Sequence, residues 1–213
     1  MARIGAVVLA AGRSARFRAA GGAGETKLAA RLDGEPLVRR AVAAALASRA
    51  RPVVVVVGHA RQAVESALAG LPVEIAFNPD FADGLSTSLK TGLLALPADC
   101  DGAAILLGDM PGAAPGLLDA LIRAFEGRPS ARAAVPVSDG RRGNPVLLGR
   151  ALFADALRLT GDEGARKLLA ACGAKALVEV EAAGWDVSCD IDTPDDLAEA
   201  QKRSGKSVSP LED

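Results

Sequence analysis

The sequence predicts an α/β fold of three layers, with helices on both faces of a mostly parallel sheet. Two uninterrupted apolar runs, at residues 4–11 and 53–57, have strand length and are typical of strands buried on both faces. Segments of helical character separate the apolar runs, so strand and helix alternate, and right-handed crossovers are expected. We find no internal repeat or linker, so residues 1–203 are predicted to form one domain and residues 204–213 a disordered tail.

The N-terminal half begins with a strand that Gly12 ends, and residues 12–27 then predict a long loop, since they are rich in Gly and Arg and lack periodicity. Pro36 predicts the start of a helix to about residue 50, because proline suits a first helical turn. Ser86 is predicted to be the N-cap of a later helix. The other elements expected here are the helices at about 60–69 and 86–96 and the strand at 73–77.

The C-terminal half contributes the small antiparallel part of the predicted sheet. Two apolar runs, at 131–137 and 145–148, flank a polar turn at 138–144, which is the pattern of two strands around a turn. Pro194 predicts the start of a last helix to about residue 203. The remaining elements expected here are strands at 102–107, 176–180 and 186–189, and helices at 115–125, 149–158 and 162–172.

Composition excludes several classes of function. Only 3% of the 213 residues are aromatic and the formal net charge is −1, so the chain lacks both the stacking side chains and the basic field of a nucleic-acid binder. The apolar run at 4–11 is too short to span a bilayer, and no cleavage-site pattern follows it. Three scattered cysteines fit reduced thiols better than a disulfide framework or a zinc site. We therefore expect a cytoplasmic protein that binds neither nucleic acid nor membrane.

The first candidate for chemistry is the turn after the first strand. Small residues there let backbone amides approach an anion, and nearby cations supply charge-assisted contacts to phosphate. The residues concerned are Leu9, Ala10, Ala11, Gly12, Arg13, Ser14 and Arg16, with Lys27 further along the loop. The turn has neither a dinucleotide-binding Gly-x-Gly-x-x-Gly pattern nor a Gly-Lys-Ser/Thr P-loop. A surface loop with solvated arginines is the alternative.

Two carboxylates are candidate metal ligands. Asp109 directly follows an apolar strand, where a carboxylate can hold Mg²⁺ against phosphate oxygens. A turn or helix-capping aspartate is the alternative there. Asp192 is a second candidate ligand, and alternation places it with Asp190 on one face of an extended segment. Asp195 and Asp196 are interpreted as structural, because acidic residues are favourable in a first helical turn.

Taken together, six segments in this order resemble the molybdopterin nucleotidyltransferases, in particular the molybdenum cofactor cytidylyltransferases among MobA-like NTP transferases. The resemblance runs from residue 4 to about residue 200. Its pieces are Leu9-Ala10-Ala11-Gly12-x-Ser14-x-Arg16 with Lys27, Asn78-Pro79 with Gly84-Leu85-Ser86-Thr87-Ser88-Leu89, Gly108-Asp109-Met110-Pro111, Gly143-Asn144-Pro145-Val146, Gly161-Asp162-x-Gly164-Ala165-Arg166-x-Leu168-Leu169, and Asp190-Ile191-Asp192-Thr193-Pro194.

The resemblance implies a Rossmann-like nucleotide-diphospho-sugar transferase fold. It further implies that Arg16 and Lys27 bind a triphosphate and act in catalysis with Asp109, and that Asp109 and Asp192 hold Mg²⁺, with Mn²⁺ as a substitute. The nucleotide would contact the first turn and also Asn78, Gly84, Ser86 and Ser88. Gly143, Asn144 and Pro145 are candidates for binding the acceptor, with a plain hairpin turn as the alternative.

The activity implied is transfer of CMP from CTP to a molybdopterin acceptor, with release of pyrophosphate. The Ala10-Ala11-Gly12 turn favours CTP, because guanylyltransferase relatives look more like Ala-Gly-Gly there. Transient contact with a molybdoenzyme or its chaperone is a further expectation. Three alternatives stay open: a guanylyltransferase, a transferase for another phosphorylated cofactor or sugar, and a non-catalytic cofactor-handover module.

One departure from the family pattern concerns Lys27. The family usually has Arg-Met-Gly and a few residues before its lysine, whereas nine residues separate Phe17 from Lys27 here. Either the loop bulges and Lys27 still returns to the phosphates, or its role is weakened and Arg18 substitutes in part.

Overall fold

The computed structural model describes residues 1–187 and 190–206. Ten strands are β1 Ile4–Ala10, β2 Arg31–Leu32, β3 Glu35–Pro36, β4 Val53–Val57, β5 Glu74–Phe77, β6 Gly102–Leu107, β7 Ala133–Ser138, β8 Arg141–Arg142, β9 Val146–Gly149 and β10 Leu177–Glu181. Eight α-helices are α1 Ala15–Ala19, α2 Leu37–Ala47, α3 Arg61–Ala67, α4 Leu85–Ala95, α5 Pro115–Glu126, α6 Phe153–Ala156, α7 Ala165–Ala171 and α8 Pro194–Lys206. Turns of 3₁₀ helix cover Lys27–Ala29, Phe81–Asp83 and Arg150–Leu152. None of these helices is long and apolar enough to cross a membrane.

The main sheet has the strand order β10-β7-β9-β6-β1-β4-β5, and β8 pairs with β7 outside that path. Only β8 and β9 run antiparallel to their neighbours, and the other pairings in this sheet are parallel. A separate hairpin joins β2 to β3. The predicted mostly parallel sheet with a small antiparallel portion is therefore confirmed.

The centre of the sheet positions the loops that matter for function. β1 lies between β4 and β6, and every residue of both β1 and β4 is buried, as their apolar runs predict. The register pairs Leu9 with Val56 on one side and with Leu107 on the other. Since these strands are parallel, the turn after Ala10 and the loop after Leu107 meet at the same edge of the sheet.

Helices pack on both faces, which confirms the three layers. Successive residues of β1 point to opposite faces, so Val8 joins a core with α2, α3 and α5, while Val7 joins a core with α4, α6 and α7. A third, smaller cluster of Phe17, Leu32, Leu37 and Ile191 lies under α8. It attaches the residues around Asp192 to the N-terminal loop.

Several predicted boundaries were wrong in the first half. Pro36 ends a short strand and α2 begins one residue later, because Ala30 accepts a hydrogen bond from the Leu37 amide as the hairpin closes. Gly84, not Ser86, occupies the N-cap of α4, and Ser86 lies inside the first turn of that helix.

Further differences lie in the second half. The predicted helix at 149–158 is a 3₁₀ turn followed by the short α6, and the helix predicted at 162–172 begins at Ala165. The strand predicted at 186–189 includes residues 188 and 189, which lie outside the described residues, and Val187 is not in a strand. The last helix continues to Lys206. The tail at 207–213 lies outside the described residues, so its disorder stays a prediction.

Candidate active site

The predicted loop at 12–27 contains the short helix α1, and residues 20–26 after that helix bulge so that Lys27 still returns to the turn after β1. Ser14 has a left-handed backbone, with φ of 50°, and its Oγ lies 3.1 Å from Thr26 Oγ1. The same Oγ accepts a 3.1 Å hydrogen bond from the Lys27 amide. Phe17 is buried beneath the loop and anchors α1. The start and the end of the inserted segment are therefore joined at Ser14, and Lys27 follows directly.

The Lys27 ammonium lies between two carboxylates from distant parts of the chain. Its Nζ is 2.7 Å from Asp109 Oδ2 and 2.7 Å from Asp192 Oδ1. Burial of the ammonium acts to lower the pKa of Lys27, but the charges of Asp109 and Asp192 outweigh burial and hold that pKa above its ordinary value. The hydrogen bond from Lys27 holds the pKa of Asp192 below its ordinary value. Lys27 and Asp192 are thus ionised together at neutral pH.

Two arginines add positive charge at the rim. Arg16 donates a 2.6 Å hydrogen bond to Asp192 Oδ2, although 81% of the Arg16 side chain is exposed. Arg13 is exposed and has no ion pair with another described residue. Neither the Gly12 nor the Arg13 amide donates to another backbone group in the described part of the chain. These amides and guanidinium groups are available to an anion.

A capping box at the start of α8 fixes the segment that carries Asp192. The Oδ2 atom of Asp196 accepts hydrogen bonds from the Asp192 amide at 3.0 Å, the Thr193 amide at 2.7 Å and the Thr193 hydroxyl at 2.8 Å. The Asp196 amide donates back to Thr193 Oγ1 at 3.2 Å. Hydrogen bonds from Thr193 lower the pKa of Asp196, so this carboxylate stays ionised. Its predicted structural role is confirmed by these contacts.

A cavity of about 440 Å³ lies beside these charges. Most of the predicted phosphate, nucleotide and metal residues line it, and they are Leu9, Ala11, Gly12, Arg13, Ser14, Arg16, Lys27, Gly84, Ser88, Asp109 and Asp192. Ala10, Asn78 and Ser86 do not line it. Phe81, Leu85 and Asp162 do line it and were missed, although Leu85 and Asp162 stand inside segments that carried the resemblance. Segments from distant parts of the chain therefore converge at the first turn.

Asn78 organises the start of α4 from within the protein. Its side-chain nitrogen donates to Thr87 Oγ1 at 2.8 Å and to Ser88 Oγ at 3.0 Å, and its Oδ1 accepts from the Asp80 amide at 3.0 Å. These three bonds leave one acceptor lone pair on a side chain that is 1% exposed. Direct contact of Asn78 with a nucleotide therefore stays a prediction that the geometry does not favour.

The N-terminus of α4 packs closely against the loop before α7. Gly84 has φ of 105°, and a Cβ there would lie 2.2 Å from the carbonyl carbon of Gly161. The Ser86 amide donates to Gly161 O at 3.0 Å, while the buried Ser86 Oγ has no hydrogen-bond partner within the described part of the chain. Asp162 is exposed at the cavity and does not cap α7, whose N-cap is Gly164.

A second cavity of about 470 Å³ adjoins the first. The two share Leu9, Leu85, Leu107 and Asp162 as lining residues. The second cavity has an apolar floor that includes Ile105 and Val146, and Arg166, Lys167 and Asn144 supply polar groups. Of the predicted acceptor residues only Asn144 lines it. Gly143 packs against Val187, and Pro145 is buried directly before β9.

The carboxylate pair suits a divalent cation of the Mg²⁺ kind. Among residues 1–187 and 190–206, no group of three His, Cys, Asp or Glu side chains could hold a metal ion by itself. Mg²⁺ is usually bound through one or two carboxylates together with substrate phosphates and water. The buried Asp109 Oδ1 has no hydrogen-bond partner among the residues that the structure describes, which leaves an acceptor that none of their donors reaches. The residues present therefore fit a cation that is completed by a phosphate ligand.

Residues 6–179 match the family model of the MobA-like NTP transferase domain. The bifunctional protein GlmU of Syntrophotalea carbinolica is 33% identical over 149 residues, which cover 70% of this chain and 30% of that protein. The molybdenum cofactor cytidylyltransferase of Escherichia coli K12 is 30% identical over 131 residues, which cover 62% of this chain and 64% of that protein. The chain thus spans under a third of the GlmU relative's length.

A solved structure is similar over nearly the whole chain. It is that of Rv0371c from Mycobacterium tuberculosis H37Rv in complex with manganese, with a TM-score of 0.77 and 26% sequence identity. The match covers 94% of this chain and 98% of that chain. The resemblance stated from the sequence motifs is confirmed at the level of the family.

Proposed function

The chain belongs to the family of MobA-like NTP transferase domains, and on that premise we propose that it transfers CMP from CTP to the phosphate of a molybdopterin-type acceptor. The observation that carries this proposal is the convergence of Lys27, Asp109 and Asp192 at the glycine turn. A transferase that joins two phosphates needs both cations and metal-binding carboxylates at one place. A binding module would need no such carboxylate pair.

The donor triphosphate occupies the first cavity in this proposal. The volume of about 440 Å³ falls within the range of small-molecule sites. Arg13, Arg16 and the amides of the Gly12 turn bind the phosphates, because guanidinium groups and backbone N–H groups are strong donors to anions. The base and ribose lie toward Gly84 and Ser88 at the start of α4, which line the same cavity.

The acceptor occupies the second cavity. The apolar floor suits a fused heterocycle, and Asn144 and Arg166 offer hydrogen bonds at its edge. The two cavities share the lining residues Leu9, Leu85 and Leu107, so an acceptor phosphate at that wall would lie next to the donor's triphosphate. This adjacency supports a direct transfer between the two.

The chemistry requires no general base. A phosphate monoester has a second pKa of about 6, so its oxygen is already a nucleophile at neutral pH. A bond forms between that oxygen and the α-phosphorus, the bond from the α-phosphorus to the β-bridging oxygen breaks, and pyrophosphate leaves with the electron pair. Two like charges 4 Å apart repel by about 4 kcal/mol at an effective dielectric of 20. Arg16 and Lys27 offset this repulsion.

Asp109 and Asp192 would hold Mg²⁺, or Mn²⁺ in its place, and the bound ion would neutralise charge on the donor's phosphate oxygens. Two observations support this assignment: the unpartnered buried oxygen of Asp109, and the manganese in the complex of the similar mycobacterial protein.

We also propose that the base of the donor nucleotide is cytosine. The Ala10-Ala11-Gly12 turn and the Gly84-Leu85-Ser86 segment favour CTP, and a cytidylyltransferase is among the relatives. We expect the highest kcat/KM with CTP when pyrophosphate release is measured with molybdopterin and CTP, GTP, ATP or UTP. A preference for GTP would reassign the donor. Release with a different phosphorylated acceptor only would reassign the acceptor.

A variant that lacks the Asp109 carboxylate distinguishes an enzyme from a non-catalytic handover module. Asp109→Asn should reduce kcat by at least about 100-fold, the scale of losing one electrostatic contact in the transition state. Asp195→Asn is the matched control, because Asp195 is exposed beside the same site and lines neither cavity. Pyrophosphate release that is equal in wild type and Asp109→Asn would refute the proposed metal role of this carboxylate. Absence of release with every donor would favour the handover module.

A further inference from the structure

The Lys27 ammonium occupies the place that a divalent cation would need. Both Asp109 Oδ2 and Asp192 Oδ1 lie 2.7 Å from its Nζ, so these two oxygens are separated by no more than twice that distance. Mg²⁺ binds its oxygens at about 2.0–2.1 Å. An ion that binds these two oxygens would have to share them with the ammonium, and an ion on the unpartnered Asp109 Oδ1 would still share both carboxylates with it. The ammonium and the metal therefore compete for the same carboxylate pair and repel each other.

Hydrogen bonds hold the backbone of Lys27 in place, whereas its flexible side chain can move away from the carboxylates. The Lys27 amide is held by Ser14 Oγ, and Thr26 caps the 3₁₀ turn that Lys27 begins, with Thr26 Oγ1 accepting from the Leu28 amide at 3.2 Å. The ammonium stands on a flexible four-carbon stem and lines the 440 Å³ cavity together with Arg13 and Arg16. Triphosphate oxygens in that cavity offer Lys27 a new set of acceptors.

We propose that Lys27 is the resident counter-ion of the Asp109–Asp192 pair, and that a divalent cation binds there only as the Lys27 ammonium moves away, toward the donor's phosphates when a donor is present. This inference rests on the metal site of the proposed function. It makes metal and triphosphate binding mutually favourable, since each removes an obstacle to the other, and the coupling is reciprocal. Metal alone binds weakly because it must displace a buried ion pair.

Binding of Mn²⁺ alone tests this directly, read from the electron paramagnetic resonance signal of free Mn²⁺ at fixed pH. We expect Lys27→Met to bind Mn²⁺ about 5- to 150-fold more tightly than wild type, the usual range for coupled sites. Arg13→Met is the matched control, because it removes one positive charge from the same cavity but none from between the carboxylates. It should change the affinity much less. Unchanged or weaker Mn²⁺ binding by Lys27→Met would overturn the proposal.

A measurement on the unaltered side chain covers the case in which Lys27→Met does not fold. The chain has only six lysines, so the Cε resonance of Lys27 can be resolved by NMR and assigned through Lys27→Gln. Addition of Mg²⁺ should shift the Lys27 resonance and leave the other five in place. A Lys27 resonance that does not move while Mg²⁺ binds would also overturn the proposal.

Asp109→Asn distinguishes a wrong metal site from a wrong counter-ion role of Lys27. If Asp109→Asn binds Mn²⁺ as wild type does, the metal site of the proposed function is wrong. If Asp109→Asn weakens Mn²⁺ binding but Lys27→Met does not strengthen it, only the counter-ion role of Lys27 is wrong.

Discussion

The backbone amide of Ile191 donates a 3.1 Å hydrogen bond to the carbonyl oxygen of Asp109. This bond joins the loop after β6 to the segment before α8, next to the two carboxylates that those segments carry. Ile191 is fully buried with Phe17 and Leu37, so the joint is also held by apolar packing. The separation of Asp109 from Asp192 is therefore a property of the folded backbone as well as of their shared bond to Lys27.

Removal of Arg16 should weaken nucleotide binding without weakening the fold. The Arg16 side chain is 81% exposed, and exposed ion pairs contribute little to stability. We expect Arg16→Ala to lose about 1.5–3 kcal/mol of triphosphate affinity, the range for a hydrogen bond to a charged group. Titration calorimetry and thermal melting measure the two effects separately. Arg18→Ala is the control, since Arg18 lies on the same helix but does not line the cavity. Equal affinities for Arg16→Ala and Arg18→Ala would place Arg16 on the solvated surface.

The contribution of Lys27 to stability should depend on pH. The pKa of Asp192 is lowered by folding, so its contribution is present above its unfolded pKa of about 3.9 and is lost as pH falls through the folded value. The pKa of Lys27 is raised, so its contribution is present below its unfolded pKa of about 10.4 and is lost as pH rises through the folded value.

We therefore expect Lys27→Met to lower the free energy of unfolding by about 1–3 kcal/mol at neutral pH, less than for a fully buried pair because a third of the Asp192 side chain is exposed. The loss should shrink as pH falls below about 4 toward the lowered folded pKa of Asp192. Urea denaturation at pH 7 and at pH 3.5 measures it, with Arg13→Met as the control. An equal loss at both pH values would contradict this explanation.

The capping carboxylate Asp196 should act on activity through Asp192. Asp196→Ala removes the acceptor of the Asp192 and Thr193 amides, and we expect about 1 kcal/mol of lost stability. It should also lower kcat and weaken Mn²⁺ binding, because Asp192 is no longer held in place. Asp196→Asn keeps an acceptor oxygen and should restore most of both. A loss of stability with unchanged Mn²⁺ affinity would make Asp196 a purely structural cap.

The close contact at Gly84 should make this glycine irreplaceable. Gly84→Ala adds a Cβ that would lie 2.2 Å from the Gly161 carbonyl carbon, at a φ that side chains rarely adopt. Gly140→Ala is the control, because Gly140 also has a positive φ but open space around its Cβ position. We expect the control to cost about 1–2 kcal/mol, and Gly84→Ala to cost more and to reduce CTP affinity. Comparable melting temperatures for the two variants would show that the Gly161 loop simply moves away.

Most of the site could be predicted from the motifs, because the ends of strands and the positions of small residues can be identified in short stretches of sequence. A parallel strand delivers the residue after it to one edge of the sheet, so Gly12 and Asp109 could be placed together without coordinates. The start of α4 was less predictable. Ser86 has the chemistry of a cap, but the positive φ and the Gly161 contact at Gly84 select glycine, and those depend on a loop 77 residues away in sequence.

The sequence by itself determined the α/β alternation, the buried central strands and the family, since these follow from apolar runs and from short motifs in a fixed order. Only the tertiary structure decided whether Lys27 reaches the carboxylates. That outcome depends on the hydrogen bonds of Ser14, which close the inserted loop at Thr26 and Lys27. It also depends on the hydrogen bond from Ile191 to Asp109, which holds the segment of Asp192 in place. Such contacts join residues far apart in the chain, and their energies depend on distances that no local pattern encodes.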